Sequence, residues 1–284
     1  QVPEVKVALS RLKSMPVVPK IGAIVVLFFV FVAIFGPLFA PYEIGEAVGG
    51  VWEPSSSRFW LGTDSLGRDL LSRLIYGTRV TLLIASVATA LSFTLGSVLG
   101  FLAAVVGGWF DMLLSRLVDV VMSIPTLIFA LVVLSVLPAG MTTIILVMGI
   151  LDSTRVFRLS RAVAVDLNAM DFVEVAKLRG EGTSWIVFRE ILPNALPPLI
   201  AELGMRFIFA VLLLSTLSYL GLGVQPPETD WGSIVGDNKD GIVFGVPAAL
   251  IPATAIAVLA ISVNLVADWM LDVATSSKGS RRDG

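Results

Sequence analysis

The run IGAIVVLFFVFVAIFGPLFA, residues 21–40, contains no charged side chain. A helix of about 20 apolar residues crosses a bilayer core, so this stretch is long enough to span one. Five more apolar runs follow, at 80–106, about 113–137, 141–163, 195–222 and 246–271. Only 15% of the residues are charged, against about 25% in a soluble domain. The first run could be a secretory signal, but signals have shorter apolar regions. Pro41 directly after Leu38-Phe39-Ala40 would also hinder cleavage there, which favours a retained span. The chain starts at Gln1 rather than Met, as a trimmed or partial sequence would. The expected fold is an all-α integral membrane protein with six transmembrane helices.

The expected layout begins with a cytoplasmic segment at 1–20 and a first helix at 21–40. A loop with an amphipathic helix occupies 41–79, outside the membrane. A five-helix core covers 80–271, with a hairpin at 166–194 and an outer loop at 223–245, and a tail follows at 272–284. Lysines and arginines test this topology. With the N-terminus inside, 14 of the 20 fall on the inner side and 5 on the outer side, with Arg206 left out. The inner set is Lys6, Arg11, Lys13, Lys20, Arg116, Arg155, Arg158, Arg161, Lys177, Arg179, Arg189, Lys278, Arg281 and Arg282. Excess positive charge on the cytoplasmic side is the normal pattern, so both termini and the hairpin are expected in the cytoplasm.

Composition removes several chemistries. The net charge is -2 and no basic domain exists, which argues against nucleic acid as a partner. There is no Cys and no His. Disulfides, thiolate metal sites and the commonest general base are therefore absent. No Gly-x4-Gly-Lys-Ser/Thr phosphate loop is present, so the chain is not expected to hydrolyse ATP itself.

Charges near the apolar runs are read first as local pairs. Leu66, Leu70, Leu71, Leu74 and Ile75 have helical spacing, which predicts an amphipathic surface helix within 60–79 with Asp64 as a cap. Asp119 is three residues after Arg116, and Pro125 is a candidate kink. Asp152, Arg155, Arg158 and Arg161 crowd one end of the fourth run. Snorkelling, with Asp152 paired to Arg155 or Arg158, would account for them. Glu202 and Arg206 are four apart and predict an ion pair, read either as self-neutralising or as a gate linked to the hairpin. Gly96 and Gly100 give one small-xxx-small step.

The longest polar interlude of the second half is DFVEVAKLRGEGTSWIVFREILPN, residues 171–194. Asp171 and Glu174 have capping-box spacing. Gly180-Glu181-Gly182 breaks the helix, and Thr183 or Ser184 can cap a second one that carries Trp185, Phe188 and Leu192 on one face. Leu192-Pro193-Asn194 would end it, and Pro197-Pro198 would open the next. Pattern alone leaves an ordinary amphipathic surface hairpin equally open.

This stretch resembles the EAA motif of the permease subunits of ABC importers: Glu-Ala-Ala, three residues, Gly, then eleven residues to Leu-Pro. Glu174, Ala176, Gly180, Leu192 and Pro193 match. Val175 replaces the first Ala, and Glu190 stands where Ile is usual, with Ile191 beside it. The ending Ile-Leu-Pro-Asn resembles the dipeptide/oligopeptide/nickel branch. So do GTDSLGRD at 62–69, GGWFDMLLSRLVDVVMSIPTLIFAL and the loop GLGVQPPETDWGSIVGD at 221–237. The resemblance covers residues 60 to 270.

The resemblance implies a peptide-importer permease of the second type in a bacterial inner membrane. It implies a coupling helix pushed by one or two cytoplasmic ATPase subunits, a second homologous permease and an extracytoplasmic substrate-binding protein. ATP and Mg would be held by the partner subunits and no cofactor by this chain. Asp171, Glu174, Ala176, Lys177, Gly180, Leu192 and Pro193 would form the coupling element, with Ala176 permitting close approach to the ATPase. Asp64, Arg68, Asp69 and Trp231 are candidates for outer-loop docking, although an ion pair or cap that fixes the loop suits the first three better. Asp152, Arg155, Arg158, Glu202 and Arg206 are the candidate intramembrane pairs. Nickel or another small solute is the alternative cargo. A motor-free secondary transporter or channel would need deep charges and broken helices. An intramembrane aspartyl enzyme would rest on Asp152 and Asp268.

Overall fold

The computed structural model describes residues 15–279, with side chains through residue 273. The side chains of Lys6, Arg11, Lys13, Lys278, Arg281 and Arg282 lie outside the described set. Helices dominate: α1 Val17–Phe35, α2 Leu70–Val106, α3 Gly108–Met122, α4 Thr126–Val136 and α5 Met141–Asn168. They continue with α6 Asp171–Leu178, α7 Thr183–Tyr219, α8 Trp231–Asn238 and α9 Leu250–Gly279. Among the described residues there are two isolated bridges, Ala47 with Arg68 and Thr63 with Asp69.

Among the described residues, four helices are long and apolar enough to cross a membrane, or five if the α3–α4 pair counts as one broken span. That pair bends by 86° at 123–125. Pro125 is the cause: its ring removes an amide donor and clashes with the preceding turn. The expected kink is therefore a full break. α5 is also 28 residues long, but its mid-helix charges set it apart from these apolar helices.

Two further expectations are corrected. No separate surface helix precedes the second span, because α2 runs unbroken from Leu70 through 37 residues. Asp69, not Asp64, caps it, accepting from the Ser72 amide at 2.8 Å. Leu66 is exposed in the loop before it. The Leu192-Pro193 step does not end a helix either. α7 passes through Pro193, Pro197 and Pro198, with a π-helical stretch at Ile186–Ile191 just before. The wider π turns accommodate the donor lost at Pro193, and the Asn194 side chain donates to the Glu190 carbonyl at 2.7 Å.

The tightest helix contact is between α2 and α5. It uses the Gly96–Gly100 step inside one chain. A Cβ on Gly96 would lie 2.6 Å from the Ser153 carbonyl oxygen and 2.6 Å from Val156 Cβ. One on Gly100 would meet the Phe157 carbonyl at 2.8 Å. Only hydrogens at these two positions let the backbones approach so closely, which is how membrane helices gain packing without a hydrophobic drive.

Among the described residues two apolar cores result. The larger gathers Ile84, Met148, Leu214, Leu217, Trp231 and Leu259 at the bundle centre and loop end. The smaller joins Phe101 and Ala104 of α2, Ala164 of α5 and Val173 of α6 to Ile186, Val187, Ile191 and Leu199 of α7. The second core fastens the hairpin to the end of the bundle.

Candidate functional site

α6 begins at Asp171 with Met170 in the N-cap position and no side-chain cap. The expected Asp171–Glu174 capping box is absent, because Asp171 is already the first helical residue. Both carboxylates instead sit in the first turn, where negative charge suits the helix dipole. Likewise Gly182, not Thr183 or Ser184, precedes the next helix.

The turn follows the sequence expectation. Gly180 has φ +81°. Its amide donates to the Lys177 carbonyl at 2.9 Å, and the Glu181 amide to the Ala176 carbonyl at 3.2 Å. That paired arrangement is a Schellman cap, and the left-handed position is cheap only for glycine.

Ala176 corrects the family expectation. With Val173 it is fully buried within the chain, so its side chain does not face outward. The face turned outward carries Phe172, Val175 and Leu178, the last 81% exposed. Glu174 and Lys177 are exposed beside them. Lys177 donates to Asn168 Oδ1 at 2.9 Å, and Asn168 donates onward to the Ala104 carbonyl at 3.3 Å. α6 is thus tied to the ends of both α5 and α2. Trp185 and Phe188, expected to share one face with Leu192, are exposed. The π turns rotate Ile186, Val187 and Ile191 inward instead.

A second cluster joins α7, α5 and α2. Arg206 pairs with Glu202 at 2.6 Å, as the spacing predicted, and reaches Asp152 of α5 at 3.4 Å. Ser92 of α2 donates to the other Asp152 oxygen at 3.2 Å. Asp152 therefore pairs across helices, not with Arg155 or Arg158. Arg155 lies over the Phe209 ring at 4.3 Å and donates to Thr126 at 3.2 Å. Arg158 pairs with Asp119 at 2.9 Å and Arg161 with Asp111, so Asp119 does not pair with Arg116. These arginines clip α3 to α5 where snorkelling was expected. The reason is length: α5 continues to Asn168, leaving Asp152 and Arg155 at mid-helix and far from either end.

The third cluster closes the loop end. Asp64, fully buried, takes Arg68 at 2.6 Å and Arg73 at 2.6 Å. Both arginines also reach Asp237, at 3.2 and 3.0 Å. Arg73 donates to Thr229 at 2.9 Å. Trp231, expected on a docking surface, is fully buried; its amide bonds Thr81 at 3.1 Å and its ring meets Phe29 edge-on at 5.2 Å. Asp69 is buried as well. These residues hold the loop onto α2 and α8 and do not present a surface. Thr229, Asp237 and Asn238 complete the cluster without having been singled out, and their link to 64–73 crosses more than 150 residues.

Two acids here titrate with opposite consequences. Burial alone would raise the Asp64 carboxyl, but the Arg68 amide and the Arg73 guanidinium hold it below its ordinary value. Its contribution is present above the unfolded value and is lost as pH falls. Burial pushes Asp230 up to about 6 despite hydrogen bonds from Ser218, Ser233 and Gly232. Its contribution is full below the unfolded value and is lost as pH rises through about 6. Asp230→Asn keeps an N-cap side chain for α8. This variant should therefore lose less thermal stability between about pH 4 and 6 than the parent.

A family model described as "Binding-protein-dependent transport system inner membrane component" matches residues 96–277. The di/tripeptide transport system permease protein DppC of Pseudomonas aeruginosa is 34% identical over 258 residues, 88% of this chain and 85% of that protein. The glutathione transport system permease protein GsiD of Pectobacterium atrosepticum is 32% identical over 220 residues, 78% of this chain and 73% of that protein. The oligopeptide transport system permease protein OppC of Bacillus subtilis is 29% identical over 253 residues, 89% of this chain and 83% of that protein.

Proposed function

Because the chain belongs to the binding-protein-dependent transport system inner membrane component family, we propose that it forms half of the translocation path of an ATP-driven peptide importer. It is a multi-pass membrane permease subunit and not itself an enzyme; the ATPase is a separate subunit. Six spans are assigned to α1, α2, the α3–α4 pair, α5, α7 and α9, with the hairpin and both termini in the cytoplasm. The excess of lysine and arginine on that side supports this orientation.

The observation that carries the coupling role is the outward stripe of Phe172, Val175 and Leu178 on a helix whose other face is locked into the second core. Three apolar residues at helical spacing fit a groove on a partner protein. The stripe docks on a cytoplasmic ATPase, which holds ATP and Mg. Asp171, Glu174 and Lys177 flank the contact. Gly180 sets the turn, while Leu192 and Pro193 carry the hairpin into α7. ATP binding biases the bundle between two arrangements, as a nucleotide-driven switch requires. A second permease and an extracytoplasmic binding protein complete the importer. Peptide cargo follows from the relatives, whose names are those of di/tripeptide, glutathione and oligopeptide permeases.

The rival motor-free transporter predicts deep charges and broken helices. Asp152, Arg155, Glu202, Arg206 and the break at 123–125 meet that prediction, and it is family membership that favours the ATP-driven reading. Proteoliposomes holding the complex and its binding protein should accumulate labelled di- or tripeptide only with ATP inside the compartment that contains the ATPases. Uptake driven by an ion gradient without ATP would restore the rival.

A further inference from the structure

Asp152 and Arg155 lie about 17 and 21 Å along α5 from Met141, at 1.5 Å per residue, and α5 has 28 residues. Arg206 lies about 20 Å from the Tyr219 end of α7 by the same rise. With α5 and α7 assigned as spans, Asp152, Arg155 and Arg206 fall near mid-bilayer depth. Asp152 is buried, but its charged neighbours are not sealed inside the bundle. The Glu202 and Arg206 side chains are 27% and 17% exposed, and Arg155 is half-buried. Charges at that depth face a cavity or a neighbouring subunit, because acyl chains cannot solvate them.

Arg155 differs from its neighbours. Asp152, Glu202 and Arg206 share one ion-pair cluster, and Arg158 pairs with Asp119. Among the described residues, Arg155 has no carboxylate at salt-bridge distance. Its guanidinium rests on the Phe209 ring and the Thr126 hydroxyl, beside the break in the α3–α4 span. Asp152, Glu202, Arg155 and Arg206 sum to zero charge. A peptide with free termini also sums to zero, with one carboxylate and one ammonium. A planar guanidinium is the natural partner of a carboxylate.

We infer that this polar face lines the translocation path, and that Arg155 receives the terminal carboxylate of a passing peptide while Glu202 faces its ammonium. The inference rests on the peptide-importer reading and names the part of this chain that meets the cargo.

The chain has no cysteine, so single cysteines report one position each. In the nanodisc-embedded complex, labelling on this chain is read by mass. A charged methanethiosulfonate should modify Thr126→Cys at least about tenfold faster than Val132→Cys, since thiolate forms in water and not in lipid. Val132 is 60% exposed, so slow labelling there reports lipid and not packing. With binding protein saturated by each ligand, a tripeptide should protect Thr126→Cys and its C-terminal amide should not. Arg155→Gln should remove that protection, and Arg155→Lys should keep part of it. Equal rates at Thr126→Cys and Val132→Cys would overturn the inference. So would equal protection by peptide and amide, which would leave Arg155 as a balancing charge. Peptide uptake by the unmodified complex checks the cargo separately. If it fails, the importer reading fails whatever the labelling shows.

Discussion

Gly96→Leu is expected to remove most folded protein from the membrane fraction. The close contact of α2 and α5 leaves no room for even a Cβ at this position. That atom would stand 2.6 Å from both the Ser153 carbonyl and Val156 Cβ, and 2.8 Å from the Phe157 amide nitrogen. Two of these three are backbone atoms of a helix, so no rotamer change relieves the clash. The helices must separate, and Gly100 one turn later separates with them. Overpacking costs about 1–3 kcal/mol where side chains can yield and more where they cannot. Loss of the α2–α5 seam also loosens Phe101 and Ala104, which anchor the hairpin. Gly140→Ala is the control, since nothing lies within 4 Å of a Cβ there. The check is detergent-extracted yield and the monodisperse fraction in size-exclusion chromatography. Folded Gly96→Leu with parental yield would mean that the α2–α5 approach is not as close as described.

Asp64→Ala is expected to be the most damaging change at the loop end. The carboxylate accepts from Arg68, Arg73 and the amides of Leu66 and Arg68, at 2.6 to 2.9 Å. Its removal leaves Arg73, only 4% exposed, with a single partner carboxylate at Asp237. An uncompensated buried charge of this kind costs about 3–5 kcal/mol. Melting should fall by roughly 10 °C at a few degrees per kcal/mol. Asp237→Ala should cost far less, because Asp237 is 42% exposed and exposed pairs contribute about 0–1 kcal/mol. Thermal unfolding of the two variants side by side tests this ranking. Equal losses would show that the cluster is wetter than its burial indicates.

Much of the fold was legible because apolar length and helical turn chemistry are local properties. The first apolar helix (expected at 21–40 and found at Val17–Phe35), the hairpin turn at Gly180 and the Glu202–Arg206 pair all depend on residues within a few positions of one another. The errors share a cause: each needed a partner distant in sequence. Asp152 looked as if it pairs on its own helix because Arg206 is 54 residues away. Ala176 looked like a docking residue because a short helix does not show in its own sequence which face packs onto the bundle. Trp231 looked exposed because a loop between spans usually is, and Thr81, Leu74 and Phe29 enclose it from two other elements. Leu192-Pro193 looked like a helix end because proline breaks helices in water. The π turns before it and the surrounding helices remove that penalty here. The Gly96–Gly100 step was visible, but not which helix it would meet.

The coupling role of α6 is tested most directly by ATPase activity and peptide uptake, measured on one nanodisc or proteoliposome preparation, with and without Leu178→Asp. Leu178 is 81% exposed, so the substitution should leave the fold intact while placing a charge in an apolar docking groove. The prediction is that uptake falls by about tenfold or more, the loss expected from one unpaired charge in a buried contact. ATP hydrolysis should either dissociate with its subunit or run without stimulation by loaded binding protein. Parental uptake with parental stimulation would contradict the account, leaving the hairpin a surface ornament and the motor contact elsewhere.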